Sequence, residues 1–247
     1  MTTVFTATHH HQSFNKVFFD SMKILSWNCN LNLSKKFQYI ESFDADICII
    51  QECENLNEDY FPNAKFYWTG KIEKKGLGVI IKNNSARICI SHNHSLINFL
   101  PIESDDLNVL AVWAFNHRAI KFGNELSGNT IDAINYYKDW LDNDSQPSIF
   151  GGDFNNSPIW DKRNKPNNFY NINEELEKLG FKSSYHSLSK DDFGKESKPT
   201  FFHTKNQLKS YHIDYLFLKN MNANSIQIGN YQDWIKLSDH VPISIIT

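Results

Sequence analysis

The sequence lacks any apolar run that approaches the ~18 residues a membrane helix requires, so no membrane partner is expected. Its first 21 residues are polar and carry no apolar core of the kind a secretory leader has. Cysteine is sparse: Cys29, Cys48, Cys53 and Cys89 follow no zinc spacing and suggest no disulfide framework. Reduced thiols and a cytoplasmic location are the simplest expectation. Arginine is scarcer still, with only Arg87, Arg118 and Arg163, and the net charge is −3. A chain that grips nucleic acid by bulk charge is usually more basic. Any nucleic-acid contact must then be local, from a basic rim and a metal ion that screens phosphate. Internal repeats, linkers and low-complexity tracts are missing too. Residues 1–21 read as an extension outside the fold, and residues 22–247 as one domain, expected to be a monomer.

What is present is enough for a large core: 247 residues, 40% hydrophobic and 14% aromatic. Short strand-like runs recur at residues 23–27, 46–50, 66–69, 78–81, 88–91, 107–114, 148–150, 213–218, 225–228 and 241–246. Helical patterns are few. Ser34 reads as the cap of a helix that carries Phe37 and Ile40 on one face. Ile131, Ile134, Tyr137 and Leu141 have helical spacing over 130–141, and residues 173–179 form a third pattern stopped by Gly180. Many strands with few helices predict an α/β sandwich: two mixed β-sheets face to face, helices outside. Residues 158–168 and 189–198 read as long surface loops.

The informative polar residues fall where apolar runs stop. Asn28 and Asn30 follow the first run, Gln51 and Glu52 the second, and Gly151-Gly152-Asp153-Phe154-Asn155 the one at 148–150. Side chains two apart on an extended chain share a face, so Asn28 with Asn30, and Asp153 with Asn155, each aim a pair of polar groups at one place. Taken singly, each segment reads first as ordinary turn chemistry, because Asn, Asp and Gly are what turns use. Two C-terminal segments shift the balance. Asp214 is a lone acid on a strand whose other face carries Tyr211, Ile213, Tyr215 and Phe217, and a buried acid needs a partner. Asp239 and His240 supply one, because Pro242 delays the following strand and leaves both free to turn inward. An aspartate that holds an imidazole beside an acid facing a cation is a usual hydrolytic arrangement.

Trp27-Asn28, Gln51-Glu52, Gly152-Asp153-Phe154-Asn155, Ile213-Asp214-Tyr215 and Ser238-Asp239-His240 stand in the order of the endonuclease/exonuclease/phosphatase motifs, which this chain resembles from about residue 23 to its end. The resemblance implies a four-layer α/β sandwich and a Mg2+-dependent phosphodiester hydrolase, with Mn2+ able to substitute. It implies a cation at Glu52 with Asn28 and Asp239 close by. Asp153 would activate or position the attacking water and Asn155 would orient it. His240, held by Asp214, would stabilise charge on the phosphate.

After the strand near 108–112, relatives place a histidine or, in abasic-site endonucleases, a tyrosine. Here Trp113 stands in that slot, and its single N–H could reach a phosphate oxygen but could not relay a proton. The other reading of Trp113 is core packing. Asn116 matches the phosphate-binding asparagine of abasic-site endonucleases. Phe201 and Tyr211 occupy positions that in those enzymes wall the pocket for a flipped-out sugar, although aromatics there also suit a core. With Asn30 and Arg118 they form the expected substrate-binding set. Lys74-Lys75-Gly76 reads as a solvated hairpin turn. A nuclease with DNA as its partner and substrate is the leading expectation. A phosphoesterase acting on an inositol phosphate, a nucleotide or a lipid is the second. A non-catalytic nucleic-acid-binding module is the third, and the intact acids and His240 weigh against it.

Overall fold

The computed structural model describes residues 21–116 and 128–247. Arg118 and residues 1–20 of the expected extension lie outside them. In chain order the strands are β1 (Lys23–Asn28), β2 (Ile47–Cys53), β3 (Lys65–Ile72), β4 (Lys75–Ile81), β5 (Arg87–Ile88), β6 (Phe99–Glu103), β7 (Asn108–Trp113), β8 (Ser148–Asp153), β9 (Lys182–Ser183), β10 (Phe201–Phe202), β11 (Ser210–Tyr211), β12 (Asp214–Lys219), β13 (Ser225–Ile228) and β14 (Ile243–Ile246). The helices are α1 (Phe37–Glu41), α2 (Thr130–Leu141), α3 (Phe169–Lys178), α4 (Ser184–Ser189) and α5 (Tyr231–Trp234).

Two six-stranded mixed sheets form, ordered β13-β14-β1-β2-β4-β3 and β5-β6-β7-β8-β12-β9, with β10 and β11 as a separate ribbon. Strand alternation assigns each side chain to a layer. Ile24, Ile47, Ile49, Val79, Val109, Ala111, Ile149, Leu216, Leu218, Ile243 and Ile245 meet between the sheets. Leu110, Val112, Phe150, Tyr215 and Phe217 face outward, beneath Ile134, Tyr137 and Leu141 of α2 and Ile172 and Leu176 of α3. Leu25, Trp27, Cys48 and Ile50 face the other way, toward Leu33, Ile40 and Phe61. The result is the four-layer α/β sandwich. All four cysteines are free and buried in it, and burial pushes the Cys29 and Cys48 thiols up to about 12.

Local departures from the sequence reading have long-range causes. α2 spans the residues its periodicity marks. α3 starts at Phe169 rather than 173, because the Asp161 carboxylate accepts from the Phe169 and Tyr170 amides at 2.7 and 3.0 Å and caps it from outside the segment. It ends at Gly180 (φ 85) as expected, with the Phe181 amide bonded back to the Leu176 carbonyl. Ser34 caps no α-helix. It sits inside a 3-10 turn, and Glu54 accepts from both its amide and its hydroxyl. β5 is only two residues long and Ile90 beyond it is 98% exposed. β6 was hidden by Pro101. The Pro101 carbonyl accepts from the Cys89 amide, so its missing N–H faces the margin where β5 has already ended rather than β7.

Gly152 is where the backbone tolerates no side chain. Its φ is 140°, and a Cβ there would strike the Val112 carbonyl oxygen and lie 2.9 Å from Gln51 Nε2 in the opposite sheet. Gly152→Ala should cost roughly 2–4 kcal/mol of stability. At Gly180 a Cβ would meet only the flexible Lys219 side chain, at 3.6 Å or more. Chemical denaturation of the two alanine variants side by side checks the difference, and equal losses would show that the sheets have room to separate at Gly152.

Candidate active site

The site occupies one end of the layer between the sheets. At this end of the layer the last inward residue of each strand is polar: Asn28 after Ile24 on β1, Gln51 after Ile49 on β2, Asp153 after Ile149 and Gly151 on β8, and Asp214 before Leu216 on β12. Register aligns them. Asn28 pairs with Gln51, and Asp153 has Trp113 on one side and Asp214 on the other.

Asp153 is the hub and has no exposed surface. Asn28 donates to its Oδ2 from the facing sheet at 3.0 Å. The Asn155 amide donates to Oδ1 at 2.8 Å and its side chain to Oδ2 at 2.9 Å. Asn155 also reaches the Ala114 carbonyl, at 3.1 Å, which ties the pair to the end of β7. His240 Nδ1 lies 2.9 Å from Asp214 Oδ2, and its Nε2 lies 3.9 Å from Asp153 Oδ2. A carboxylate opposite Nδ1 requires the proton there, which leaves Nε2 turned toward Asp153. Ser238 accepts from the His240 amide at 3.0 Å and donates to the Asn28 carbonyl at 2.7 Å. The Trp27 indole donates to the His240 carbonyl at 3.1 Å. Thr200 accepts from the amides of Ile213 and Asp214, both at 3.1 Å, and so fixes where β12 begins.

These environments move two ionisations. Burial, and then the neighbouring charge of Asp214, push the Asp153 carboxyl up to about 7. Burial alone would lower His240, but Asp214 and Asp153 outweigh it and raise the imidazole to about 9. A base near neutrality beside an imidazolium is a pairing suited to hydrolysis. Asp153, Asp214 and His240 also form a cluster whose ligand atoms lie within 4.8 Å of one another.

Glu52 and Asp239 are not members of that cluster. Glu52 lies in a bulge of β2, at φ 56°, and its Oε2 is 3.0 Å from Lys75 Nζ. Asp239 Oδ1 accepts from the Asn30 side chain at 3.1 Å, and the Asn30 amide in turn donates to Asn28 Oδ1 at 3.1 Å. Asn28, Asn30 and Asp239 are thereby brought together, and the Leu31 amide bonds the Glu52 carbonyl next door. Asn30 (φ 49°) and Asn155 (φ 47°) share the left-handed backbone of Glu52, a conformation asparagine adopts readily and glutamate seldom.

Trp113 is half-buried: its ring packs against the inter-sheet core and carries Lys75 Nζ 5.2 Å from its centroid. The core-packing reading fits that placement, and the ring meets a cation as well. Asn116 follows β7 and its carbonyl accepts from Asn167 at 3.0 Å. Phe201 packs on the His240 ring with centroids 4.6 Å apart, and Tyr211 is its cross-strand partner. Sequence reasoning passed over Trp160, 4.9 Å from Tyr211 by ring centroids, for which no local signal existed. Ser238 and Gln51 stood inside recognised motifs without being assigned a role. Lys75 was read as solvated, although it faces Glu52.

The sequence matches the Endonuclease/Exonuclease/phosphatase family over residues 25–240. No curated protein matches it individually. Among solved structures it is similar to the 3' phosphatase NExo from Neisseria bound to a product DNA hairpin, at 15% identity and TM-score 0.67, covering 91% of this chain and 98% of that one. The 3'-5' exonuclease NExo from Neisseria meningitidis gives 15% identity, TM-score 0.66 and the same coverage. An AP endonuclease from Archaeoglobus fulgidus gives 13%, 0.66 and again 91% and 98%.

The raised carboxyl predicts how stability varies with pH in chelator. Folded Asp153 keeps its proton up to about pH 7, whereas an unfolded aspartate loses it near 3.8, so its contribution is lost as pH rises through that window. The His240 contribution is full below 6.5 and is lost as pH rises through about 9. Denaturant titrations of the metal-free protein should show stability falling from pH 4 to 9. Asp153→Asn should flatten the part below pH 7 and shrink the part above it, because Asp153 is one of the two charges that raise His240. Parallel curves for the two proteins would rule out a raised Asp153.

Proposed function

The chain belongs to the endonuclease/exonuclease/phosphatase family, and from that premise we propose that it is a Mg2+-dependent phosphodiester hydrolase that cuts DNA by attack of water. The observation that carries this reading is the Asp153–Asp214–His240 cluster, buried, braced by Asn28 and Asn155, and placed at the open end of two sheets.

The side-chain chemistry supports each role. Asp153 takes a proton from water, since its raised affinity for one matches a base that works near neutral pH. Asn155 and Asn28 hold its two oxygens and so fix the direction in which it can act. His240 presents a charged Nε2–H to a phosphate oxygen as negative charge builds there, and Asp214 keeps the ring oriented and protonated. Glu52, Asp239 and Asn28 offer only hard oxygen donors, which fits Mg2+ or Mn2+, and the Glu52 carboxylate already faces one cation in the form of the Lys75 ammonium. Bound there, the ion would polarise a phosphoryl oxygen and neutralise charge. No serine or cysteine nucleophile is needed, in keeping with the suppressed ionisation of Cys29 and Cys53.

DNA is favoured because the similar structures are described as acting on it or bound to it, and because Phe201, Tyr211 and Trp160 form an aromatic wall beside His240. A phosphate monoester at a DNA 3' end is the second reading, favoured by the likeness to a 3' phosphatase.

Turnover should vanish in chelator and return with Mg2+ or Mn2+, and Glu52→Gln should abolish it with the melting temperature kept. Abasic duplex, 3'-phosphorylated DNA and an inositol phosphate assayed side by side decide the substrate. Faster release from the inositol phosphate would overturn the DNA reading. His240→Ala and Asp214→Ala should each lower kcat by roughly two orders of magnitude, with the double variant little worse than the worse single. Additive losses would show that the two residues do not act as a unit.

A further inference from the structure

Lys75 opens β4 directly after the two-residue turn Glu73-Lys74, at the edge hairpin of the first sheet. Its ammonium does two things at once. It meets Glu52 Oε2 at 3.0 Å, and it lies over the Trp113 ring, 5.2 Å from the centroid. Glu52 belongs to the same sheet, but Trp113 belongs to the other, where it is the register partner of Asp153. One cation thus spans the two sheets at the end where the reacting groups gather. An ordinary surface ion pair contributes little and needs no such platform. Here the side chains are only 36% and 20% exposed, and the indole face favours a cation above it.

The surroundings make that cation consequential. Asp153, Asp214, Asp239 and Glu52 put four carboxyl groups in a small region of a protein whose net charge is already −3. A polyanionic substrate must enter it. Glu52 Oε2 is also the oxygen that a divalent cation would claim, and an ammonium and a metal ion cannot both hold it closely.

Building on the metal-dependent reading above, we propose that Lys75 is a resident counter-cation that holds Glu52 while no divalent ion is bound and moves to a substrate phosphate when one is. Trp113 is its platform during the exchange. The lysine stem is long and flexible and carries three donors, so the move needs rotation about side-chain bonds and no backbone change. Lys75 becomes a phosphate-binding residue, and Trp113 positions it rather than donating to phosphate itself.

The test measures metal binding without substrate. Mn2+ is titrated calorimetrically into the full chain as wild type, Lys75→Met, Lys75→Arg and Glu52→Gln. Removing the competing charge should tighten Mn2+ binding in Lys75→Met roughly five- to tenfold. Lys75→Arg keeps the charge and grips a carboxylate at least as well, so it should bind Mn2+ no more tightly than wild type, which separates charge from packing. In steady-state assays Lys75→Met should raise KM for DNA several-fold and change kcat less. Equal Mn2+ affinity in wild type and Lys75→Met, with Glu52→Gln weakened, would overturn the proposal and leave the metal reading intact. Mn2+ affinity indifferent to Glu52→Gln would overturn both. Tighter Mn2+ binding with an unchanged KM would overturn the transfer to phosphate.

Discussion

Asp153 and Asp214 face each other as register partners on adjacent antiparallel strands, both buried, with one imidazole between them. Like charges placed opposite one another on a sheet repel, and burial magnifies the cost. The rest of the site is organised around relieving that conflict. His240 supplies a positive charge to both carboxyls, and Asn28 and Asn155 supply donors to Asp153. Asp214 Oδ1 stays without a hydrogen-bond partner among the described residues. The relief is therefore incomplete, and the shortfall appears as an Asp153 carboxyl that holds its proton to about pH 7. On the proposed mechanism, the same electrostatic tension that burdens the fold is what would make Asp153 a useful base.

The donors that ease it come from both sheets, which makes the site an inter-sheet fastening as well as a reaction centre. Asn28 reaches across from β1, and Ser238 and Trp27 bind the loop that carries His240 back onto the same strand. Gly152 allows this proximity, since any side chain there would press on Gln51 of the facing sheet. Glu52 and Asn155 take left-handed backbone where β2 bulges and just after β8 ends, so their side chains leave the strand's alternation, Glu52 to meet Lys75 and Asn155 to meet Asp153. The strain falls at strand ends, outside the three apolar clusters that carry stability.

Much of this was legible in sequence, for a physical reason. Inward-facing positions on a strand are apolar unless something holds a polar group there, so Asn28, Asp153 and Asp214 stood out at the ends of apolar runs. The layered fold followed from the strand runs and from the periodicity of α2. What stayed hidden depends on partners remote in sequence. Asp161 caps α3 from eight positions upstream of its first residue, Pro101 sits in a strand only because β5 is short, and Trp160 joins Tyr211 across fifty-one positions. Lys75 is the clearest case. Beside Lys74 and Gly76 it looks like any solvated turn, and nothing local says that Glu52 and Trp113 lie within its reach.

Under the proposed function, that residue would let a chain so poor in arginine handle a polyanion. A guanidinium fixed in the cleft would bind phosphate well but would also neutralise the carboxylates on which the chemistry depends, whether or not substrate was present. A lysine parked on Glu52 cancels charge only while the cleft is idle. Its hold is modest, because the pair is partly solvated and Trp113 adds only a weak attraction. If a divalent ion claimed Glu52, the ammonium could leave by side-chain rotation without remodelling the sheets and would restore part of the cation deficit where phosphate arrives. Acidity that would otherwise repel a phosphate substrate would then help to recruit first the metal and, through it, the phosphate.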